Sequence, residues 1–411
     1  MAAHAESQEE YSSSTSAIHA DDHLNNQLSD VVPPIHVATS FRYSSDPSQL
    51  RPFRESDRPN LQFPFQEEGE HCYSRVTTYN TSRLEVILSK LLGAPCLTYS
   101  SGLAALQAAL AYLIPKNVAI GAGYFGSHGA LNLYTRLTGC RQMPLDFQPD
   151  DLGQGDLIWL ETPVNPAGTA FNIQYFADLA HSRGAYLLVD STLAPPPLQN
   201  AFRQGADIVM HSGTKYIGGH NDMLCGILAV RDKSWIPRMV ENRKSLGNVM
   251  GSFEGWLAVR SVRTLEVRVL RQSQTATRLV HILNGALFGD TNGEVLSRSD
   301  VETIKKVVTS VSHASLQNAD DQTWLRNQMP NGYGPVFAIR LTSEEVAKRL
   351  PSKLRLFHHA TSLGGVESLI EWRAMTDITT DRDVLRVSIG LEDGTDLLRD
   401  LMQAFRGSVE E

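Results

Sequence analysis

The stretch "DLIWLETPVNPAGTAFNIQYFADLAHSRGAYLLVD", residues 156–190, decides the fold class of this chain. It holds two apolar runs, DLIWLE and AYLLVD, on either side of a segment with helical spacing of its apolar residues. An apolar run without polar alternation is typical of a strand buried on both faces, as in a parallel sheet. The stretch therefore predicts a strand–helix–strand unit of an α/β fold.

The same alternation extends over residues 84–230, with further strands predicted at CLTY, NVAIGAG, ADIVMHS and CGILAV. These strands predict a large domain, residues 71–270, with a mostly parallel sheet flanked by helices. One continuous helical stretch, residues 253–283, should lead into a smaller C-terminal α+β domain, residues 271–411. Before the large domain we expect a disordered tail, residues 1–25, and an N-terminal arm and loop, residues 26–70.

Composition excludes several classes of function. The 411 residues carry a net charge of −8 and show no basic stripe, so nucleic acid is not an expected partner. No apolar run is long enough to span a membrane, and the N-terminus resembles neither a secretory signal nor a transit peptide. The four cysteines, Cys72, Cys96, Cys140 and Cys225, lack metal-site spacing, which predicts reduced thiols in a cytoplasmic protein without a metal site.

The segment ADIVMHSGTKYIGGHND, residues 206–222, carries the strongest chemical signal. It places Lys215 in a glycine-rich loop directly after an apolar strand, together with Ser212 and Thr214. A buried ammonium is costly, and one compensation is a lysine of depressed pKa that forms a Schiff base. The two hydroxyls could bind a phosphate. A surface lysine in a turn is the alternative interpretation.

Two further positions point to the same chemistry. Asp190 ends an apolar strand, where ligands bind in parallel sheets, and an aspartate there can hold the proton of a pyridinium ring. Ser101 and Gly102 begin a helix whose free N–H groups suit a phosphate. Each has a plainer interpretation as a turn or helix cap. Together with Lys215 they follow the order that a pyridoxal phosphate site requires.

With these residues, the chain resembles the Cys/Met-metabolism (trans-sulfuration) family of pyridoxal phosphate enzymes, which includes cystathionine γ-synthases and lyases. The resemblance runs from VVPPIHVATSFRY, residues 31–43, to LRVSIGLED, residues 385–393. It rests on eight motifs in register: YSR (73–75), RLE (83–85), SSGLAA (100–105), ETPVNP (161–166), LLVDST (187–192), SGTKYIGGHND (212–222), SLGGVESL (362–369) and LRVSIGLED. It implies fold type I and pyridoxal 5'-phosphate as the cofactor.

The resemblance also assigns roles to residues of this chain. Lys215 matches the lysine that bears the cofactor, and Asp190 matches the partner of the pyridine nitrogen. Positions that match phosphate ligands are Ser101, Gly102, Leu103, Ser212 and Thr214. Phe125 matches the aromatic residue that stacks on the ring, and Asn165 matches a residue near the ring hydroxyl.

The remaining matches concern the substrate and the neighbouring subunit. Arg386 matches the arginine that binds the substrate α-carboxylate, Ser362 matches a backbone contact to that carboxylate, and Thr361 adjoins it. Tyr73 and Arg75 match a pair that reaches the phosphate held by the neighbouring subunit. This implies a homo-oligomer with shared active sites, a dimer at least and usually a tetramer.

The chain departs from the family pattern in three places. Phe125 stands where a tyrosine is usual, so it can stack but cannot transfer a proton. Residues 77–80, Thr-Thr-Tyr-Asn, replace the usual Gly-Asn-Pro-Thr, which predicts a different backbone course there. Thr361 stands where synthases and γ-lyases typically have a glutamate that reads a distal amino group, which disfavours cystathionine as substrate or product.

A competing motif is the glycine pattern of Gly121, Gly123 and Gly126 in NVAIGAGYFGSHG, which fits the G-x-G-x-x-G fingerprint of dinucleotide-binding proteins. A nicotinamide fold would place these glycines on its first strand–helix unit and would need no Schiff-base lysine. The glycine spacing is therefore interpreted as coincidental, and an NAD-dependent dehydrogenase is disfavoured.

These observations predict γ-replacement on an O-acyl-L-homoserine such as O-acetylhomoserine. The reaction would proceed by elimination to a vinylglycine-type intermediate and addition of a thiol, carbon or nitrogen nucleophile. A β- or γ-lyase shares every cofactor residue and stays open as the alternative. A catalytically silent scaffold is a third interpretation, against which Lys215, Asp190 and Arg386 argue.

Overall fold

The computed structural model describes residues 11–25, 30–50, 52, 71–291, 293 and 295–409. The first ten residues of the predicted tail, and most of the loop predicted before residue 71, lie outside the described residues. None of the helices in the described ranges is both long and apolar enough to cross a membrane.

A mixed sheet forms the centre of the large domain. Among the described residues it has seven strands, in the spatial order β1-β7-β6-β5-β4-β2-β3. Their bounds are β1 (Cys96–Tyr99), β2 (Asn117–Ile120), β3 (Arg141–Met143), β4 (Leu157–Glu161), β5 (Tyr186–Asp190), β6 (Ile208–Ser212) and β7 (Gly226–Val230). β7 runs antiparallel to both neighbours and the other pairs are parallel. The predicted fold class is confirmed; β3, a three-residue polar edge strand, was not predicted.

Helices cover both faces of this sheet. Their bounds are α1 (Ser13–His19), α2 (Tyr79–Leu92), α3 (Gly102–Leu113), α4 (Phe125–Thr138), α5 (Ile173–Ser182), α6 (Ile236–Leu246), α7 (Ser252–Val262) and α8 (Leu265–Leu287). The prediction of one continuous helix over residues 253–283 is wrong, because α7 and α8 are separate. Thr264 interrupts the helix: its Oγ1 donates to the Ser261 carbonyl at 3.1 Å and accepts from Arg268 Nε at 3.1 Å.

The prediction of a disordered tail is wrong for the part of the tail that the structure describes. Residues 11–25 were expected to be disordered, but they form α1 and a following turn against the large domain. Ala17 and Asp21 are buried, and the Asp21 carboxylate pairs with Arg83 Nη1 at 3.1 Å. Arg83 Nη2 also donates to the Leu24 carbonyl at 2.8 Å. The segment is held by a cation in α2, which no local sequence pattern near residue 20 reveals.

The smaller domain has a second sheet with the order β10-β11-β12-β9-β8, counted over the described residues. Its elements are α9 (Arg298–Val307), β8 (Val308–Ser312), α10 (Ala319–Gln328), β9 (Val336–Leu341), α11 (Glu344–Arg349), β10 (His358–His359), β11 (Leu369–Trp372), β12 (Val384–Ser388) and α12 (Gly394–Val409). Helix α8 serves both domains: Leu265 and Val269 belong to the large core, and Ala276 and Leu279 to the small one. The boundary placed at residue 270 thus falls inside a continuous helix and stays a prediction.

Candidate active site

The site lies at the carboxyl ends of three neighbouring parallel strands. β4, β5 and β6 end at Glu161, Asp190 and Ser212, and α3 begins beside them. A cavity of about 230 Å³ opens there. Twelve of the predicted site residues line it: Ser101, Gly102, Leu103, Phe125, Asn165, Asp190, Ser212, Thr214, Lys215, Thr361, Ser362 and Arg386. The order of the sheet, rather than nearness in sequence, brings them together.

Lys215 is the amine of the cavity. Its Nζ donates a hydrogen bond of 2.8 Å to Ser362 Oγ. Burial, and then the nearby Arg386 guanidinium, lower the pKa of Lys215 to about 8, while Glu371 opposes the shift. A substantial share of this amine is therefore neutral near pH 8, which is the form that acts as nucleophile or base.

Ser362 occupies a strained position. Its φ of 76° lies in the left-handed region, which non-glycine residues rarely adopt. Both of its polar groups are used: Oγ accepts from Lys215, and its carbonyl accepts from Arg386 Nη2 at 2.5 Å. The conformation therefore places one residue in contact with both cations.

Asp190 is the buried acid at the end of β5. Its Oδ1 accepts from the Thr192 backbone N–H at 3.0 Å and from Thr192 Oγ1 at 2.5 Å. Thr192 Oγ1 in turn accepts from the Ser212 N–H at 2.8 Å. Burial raises the pKa of Asp190, and the bonds from Thr192 oppose that rise. Thr192 was not predicted as a site residue, although an Asp-x-Thr sequence at a strand end signals such a turn.

The start of α3 approaches β6 closely. Ser101 caps the helix, its Oγ accepting from the Ala104 N–H at 3.1 Å. The N–H groups of Gly102 and Leu103 belong to the first helical turn and so have no acceptor within the helix. A Cβ at Gly102 would lie 3.0 Å from Met210 and 3.1 Å from Ser212. Glycine therefore allows the helix terminus and Ser212 to converge on one anion.

Arg386 is the buried cation of the opposite wall, on β12. Its Nη2 contacts Glu371 Oε2 at 2.5 Å, and its Nη1 donates to Asn165 Oδ1 at 3.3 Å. Burial lowers the pKa of Arg386 to about 10, so it stays charged at neutral pH. Asn165 and Glu371 hold the guanidinium in place, which suits recognition of a carboxylate.

Arg373 is a second guanidinium on this wall that the sequence did not reveal. It pairs with Glu371 at 3.1 Å and with Asp377 at 3.2 Å. Its guanidinium carbon lies 5.7 Å from the centre of the Phe125 ring. Glu371 and Arg373 follow SLGGVES in the sequence, but their spacing matches no recognised motif. Only the three-dimensional arrangement shows that they lie at the site.

The glycines that fit a dinucleotide fingerprint make room for side chains of this chain. A Cβ at Gly121 would lie 2.5 Å from Leu145, and one at Gly123 would lie 2.6 Å from Glu161 Oε2. A Cβ at Gly126 would lie 2.4 Å from the Tyr124 ring. These contacts give each glycine a role in packing, which supports the interpretation of their spacing as coincidental.

Tyr73 and Arg75 do not line the cavity. Both are exposed, and the Arg75 guanidinium lies 5.4 Å from the centre of the Tyr73 ring. Their role toward a neighbouring subunit stays a prediction. Residues 77–80, where the sequence departs from the family pattern, include the cap of α2. The Thr78 Oγ1 accepts from the Thr81 N–H at 3.2 Å.

The residues of the cavity fit pyridoxal 5'-phosphate. A carboxylate, an amine of lowered pKa and a helix N-terminus with a glycine cradle correspond to the ring nitrogen, the aldehyde and the phosphate of that cofactor. Among the residues that the structure describes, no group of His, Cys, Asp or Glu could hold a metal ion.

Comparison with known proteins identifies the family of this chain. The family model "Cys/Met metabolism PLP-dependent enzyme" matches residues 14–406. Cystathionine γ-synthase of Mycobacterium tuberculosis is 35% identical, with 82% of this chain and 86% of that protein covered. Cystathionine γ-lyase of Saccharomyces cerevisiae is 31% identical, with 95% and 96% covered.

Solved structures give the same result. MetB from Corynebacterium glutamicum superposes with a TM-score of 0.82 at 28% identity, covering 97% of this chain and 98% of that one. Cystathionine γ-lyase from yeast superposes with a TM-score of 0.81 at 29% identity, covering 98% and 99%. The resemblance, the fold type and the cofactor predicted from the sequence are confirmed. The chain belongs to the Cys/Met-metabolism family of pyridoxal phosphate-dependent enzymes.

Proposed function

We propose that this enzyme replaces the γ-substituent of an O-acyl-L-homoserine with a small thiol, carbon or nitrogen nucleophile. The proposal rests on one observation: Lys215, Asp190 and Arg386 line the same cavity, and the neighbouring wall position is the uncharged Thr361. A threonine cannot form an ion pair with the ammonium group of cysteine or cystathionine. The pocket therefore favours a nucleophile without a distal ammonium.

The cofactor, when bound, supplies an electron sink that stabilises negative charge at the α-carbon of an amino acid. Lys215 Nζ is the group that we assign to remove the α-proton and then a β-proton, since its lowered pKa leaves it neutral near pH 8. Asp190 holds the proton on the pyridine nitrogen. Arg386, with the Ser362 backbone, binds the α-carboxylate.

The phosphate of the cofactor is assigned to the start of α3 and to the hydroxyl groups that face it. Ser101, Gly102 and Leu103 supply the helix terminus, and Ser212 and Thr214 supply the hydroxyl groups. Phe125 is assigned to stack on the ring and Asn165 to contact the ring hydroxyl. Phe125 has no hydroxyl and cannot donate a proton, and the carboxylate leaving group of an O-acyl-L-homoserine can depart as an anion without one.

The active unit is proposed to be a homo-oligomer, with Tyr73 and Arg75 of one subunit completing the phosphate site of the next. Both residues are exposed and lie outside the cavity of their own chain, which supports this assignment. We further propose that the enzyme is a tetramer built from two such pairs and that it is located in the cytoplasm.

A γ- or β-lyase is the competing function, because a cystathionine γ-lyase and a cystathionine β-lyase match this chain as well as a cystathionine γ-synthase. Mass spectrometry of the products from O-acetyl-L-homoserine, alone and with thiol, amine and β-keto nucleophiles, distinguishes the two. Adducts that accumulate at the expense of 2-oxobutyrate support γ-replacement. Release of 2-oxobutyrate that no nucleophile diverts would overturn the proposal in favour of a lyase. Lys215→Ala serves as the control for non-enzymatic addition.

A further inference from the structure

Glu161 is an acidic residue of the cavity to which the sequence assigned no role. It ends β4, and in the parallel pairing of β4 with β5 it stands opposite Asp190. Its side chain lines the same cavity as Lys215 and Phe125. A second carboxylate therefore lies next to the acid assigned to the pyridine nitrogen.

The two oxygens of Glu161 hold two different segments. Oε2 accepts from the Tyr124 backbone N–H at 2.8 Å, and Oε1 accepts from the Asn165 backbone N–H at 2.7 Å. Tyr124 directly precedes Phe125, so one carboxylate fixes both the segment of the stacking ring and that of Asn165. The chain at Gly123 passes so close that a Cβ would lie 2.6 Å from Oε2.

The electrostatic surroundings are consistent with a coupled pair. Burial and the Asp190 carboxylate raise the pKa of Glu161 to about 8, while the two backbone N–H groups and Arg373 oppose that rise. Lys215 and Arg386 are the other cations that line the cavity. A change at Glu161 should therefore affect the protonation of a ligand bound beside Asp190.

We propose that Glu161 is a positioning residue of the cofactor site, whose carboxylate fixes Phe125 and Asn165 relative to Asp190 and so orients the pyridine ring. The inference depends on the cofactor of the family and not on the proposed γ-replacement. A result that overturns the role of Glu161 therefore leaves the proposed γ-replacement standing, and a result that overturns γ-replacement leaves the role of Glu161 standing.

The test compares Glu161→Gln with Asp156→Asn. Asp156 precedes the other end of β4, accepts from the Asn117 and Gly153 backbone N–H groups at 2.8 and 2.9 Å, and does not line the cavity. It is therefore a matched structural control. The readouts are the Kd of pyridoxal phosphate for the apoprotein by fluorescence, the visible circular dichroism of the bound cofactor, and the pH dependence of its visible absorption.

Glutamine offers one acceptor oxygen where the site needs two, and above a pH of about 8, where Glu161 is ionised, it also removes a negative charge. We expect Glu161→Gln to weaken cofactor binding about tenfold, to reduce the visible circular dichroism, and to move the absorption transition to lower pH. The sign follows because Glu161 is an anion above its pKa of about 8, and loss of that anion destabilises a protonated cofactor nitrogen. Asp156→Asn should lower Tm but leave these three readouts within about twofold of the wild-type values.

Two results would overturn the proposal. One is a Glu161→Gln variant with wild-type Kd, circular dichroism and pH transition; the other is an equal change in Asp156→Asn. If Glu161→Gln does not fold, Glu161→Asp keeps the charge with a shorter reach. It should preserve the pH transition while reducing the circular dichroism, and a shifted pH transition in that variant would contradict the inference.

Discussion

Lys215 and Ser362 join the two domains across the cavity through a hydrogen bond of 2.8 Å from Nζ to Oγ. Lys215 follows β6 of the large sheet, whereas Ser362 precedes β11 of the small one. Because the Ser362 carbonyl also accepts from Arg386, one residue contacts both the amine and the cation that we assign to the substrate carboxylate. Changes at Ser362 should therefore affect chemistry more than stability.

Ser362→Ala removes the hydroxyl and keeps the strained backbone. We expect kcat/KM to fall about tenfold, as for loss of a hydrogen bond to a charged group, with Tm changed little. Ser352→Ala is the control, because it also removes a serine hydroxyl hydrogen bond, from Ser352 Oγ to the Arg349 carbonyl at 2.7 Å, but Ser352 does not line the cavity. An unchanged kcat/KM in Ser362→Ala, measured by steady-state kinetics, would show that the bond does not position the amine.

The lowered pKa of Lys215 predicts its reactivity in the apoprotein. Burial shifts the pKa to about 8, so the neutral, nucleophilic amine increases as the pH rises from 7 to 9. Reductive labelling with pyridoxal phosphate and borohydride, read by peptide mass spectrometry, should therefore level off above pH 9. Labelling of lysines in solvent, whose ordinary pKa is about 10.4, should still increase there. Equal pH profiles would contradict the shift.

Thr192→Val removes a hydroxyl that bonds both Asp190 and the Ser212 N–H. The pKa of Asp190 should rise further, because the side-chain hydrogen bond that favours its charged form is lost while the bond from the Thr192 N–H remains. We expect cofactor affinity to fall about fivefold to tenfold by fluorescence titration. The loss should be larger at pH 6 than at pH 8, since the carboxylate is protonated more readily at low pH. A pH-independent loss would argue for a packing effect instead.

The proposed shared site predicts complementation between two inactive variants. Lys215→Ala lacks the amine, and Arg75→Ala lacks the cation that is assigned to the neighbouring cavity. When the two are unfolded, mixed and refolded together, half of the hetero-pairs' sites have both residues intact, so activity should reappear. Mixing either variant with itself is the control. No recovery, with mixed oligomers verified by mass spectrometry, would show that Arg75 acts within its own subunit and not across the subunit boundary.

The buried ion pair of Asp21 and Arg83 predicts a large effect on stability. Asp21→Ala leaves the buried Arg83 guanidinium without its carboxylate and should lower the free energy of unfolding by about 3 kcal/mol. Asp22→Ala is the control, because its pairing with His19 is exposed and its loss should matter little. Denaturation with urea measures both, and equal losses would contradict the anchoring role of the segment.

The elements that the sequence revealed are those that local patterns determine. The apolar strands of the large sheet and the helix at Gly102 follow from residues close together in the chain. β3 is short and polar, and α1 depends on Arg83, so neither has a local signal. The break at Thr264 arises from side-chain bonds that compete with the helix.

In the candidate site too, some residues have a local sequence signal and others have none. Lys215 and Asp190 were predicted because Lys215 follows a buried strand and Asp190 ends one, and the family resemblance supplied the other predicted residues. Glu161 and Arg373 were missed because their roles depend on contacts across the fold. The Arg386–Asn165 bond, for example, joins residues 221 positions apart in the chain. Their roles therefore become visible only when both sheets are in place.

Helix α8 has a mechanical consequence for the choice of substrate. It passes from the large core at Val269 to the small core at Ala276 without an interruption. A continuous helix offers no loop residues to absorb the dihedral changes that hinge closure needs. We therefore expect the wall with Arg386 and Thr361 to keep a set distance from Lys215 when a ligand binds. We expect such a slot to select among amino acids by their size and charge, and the acyl chain of the proposed substrate to bend to fit it.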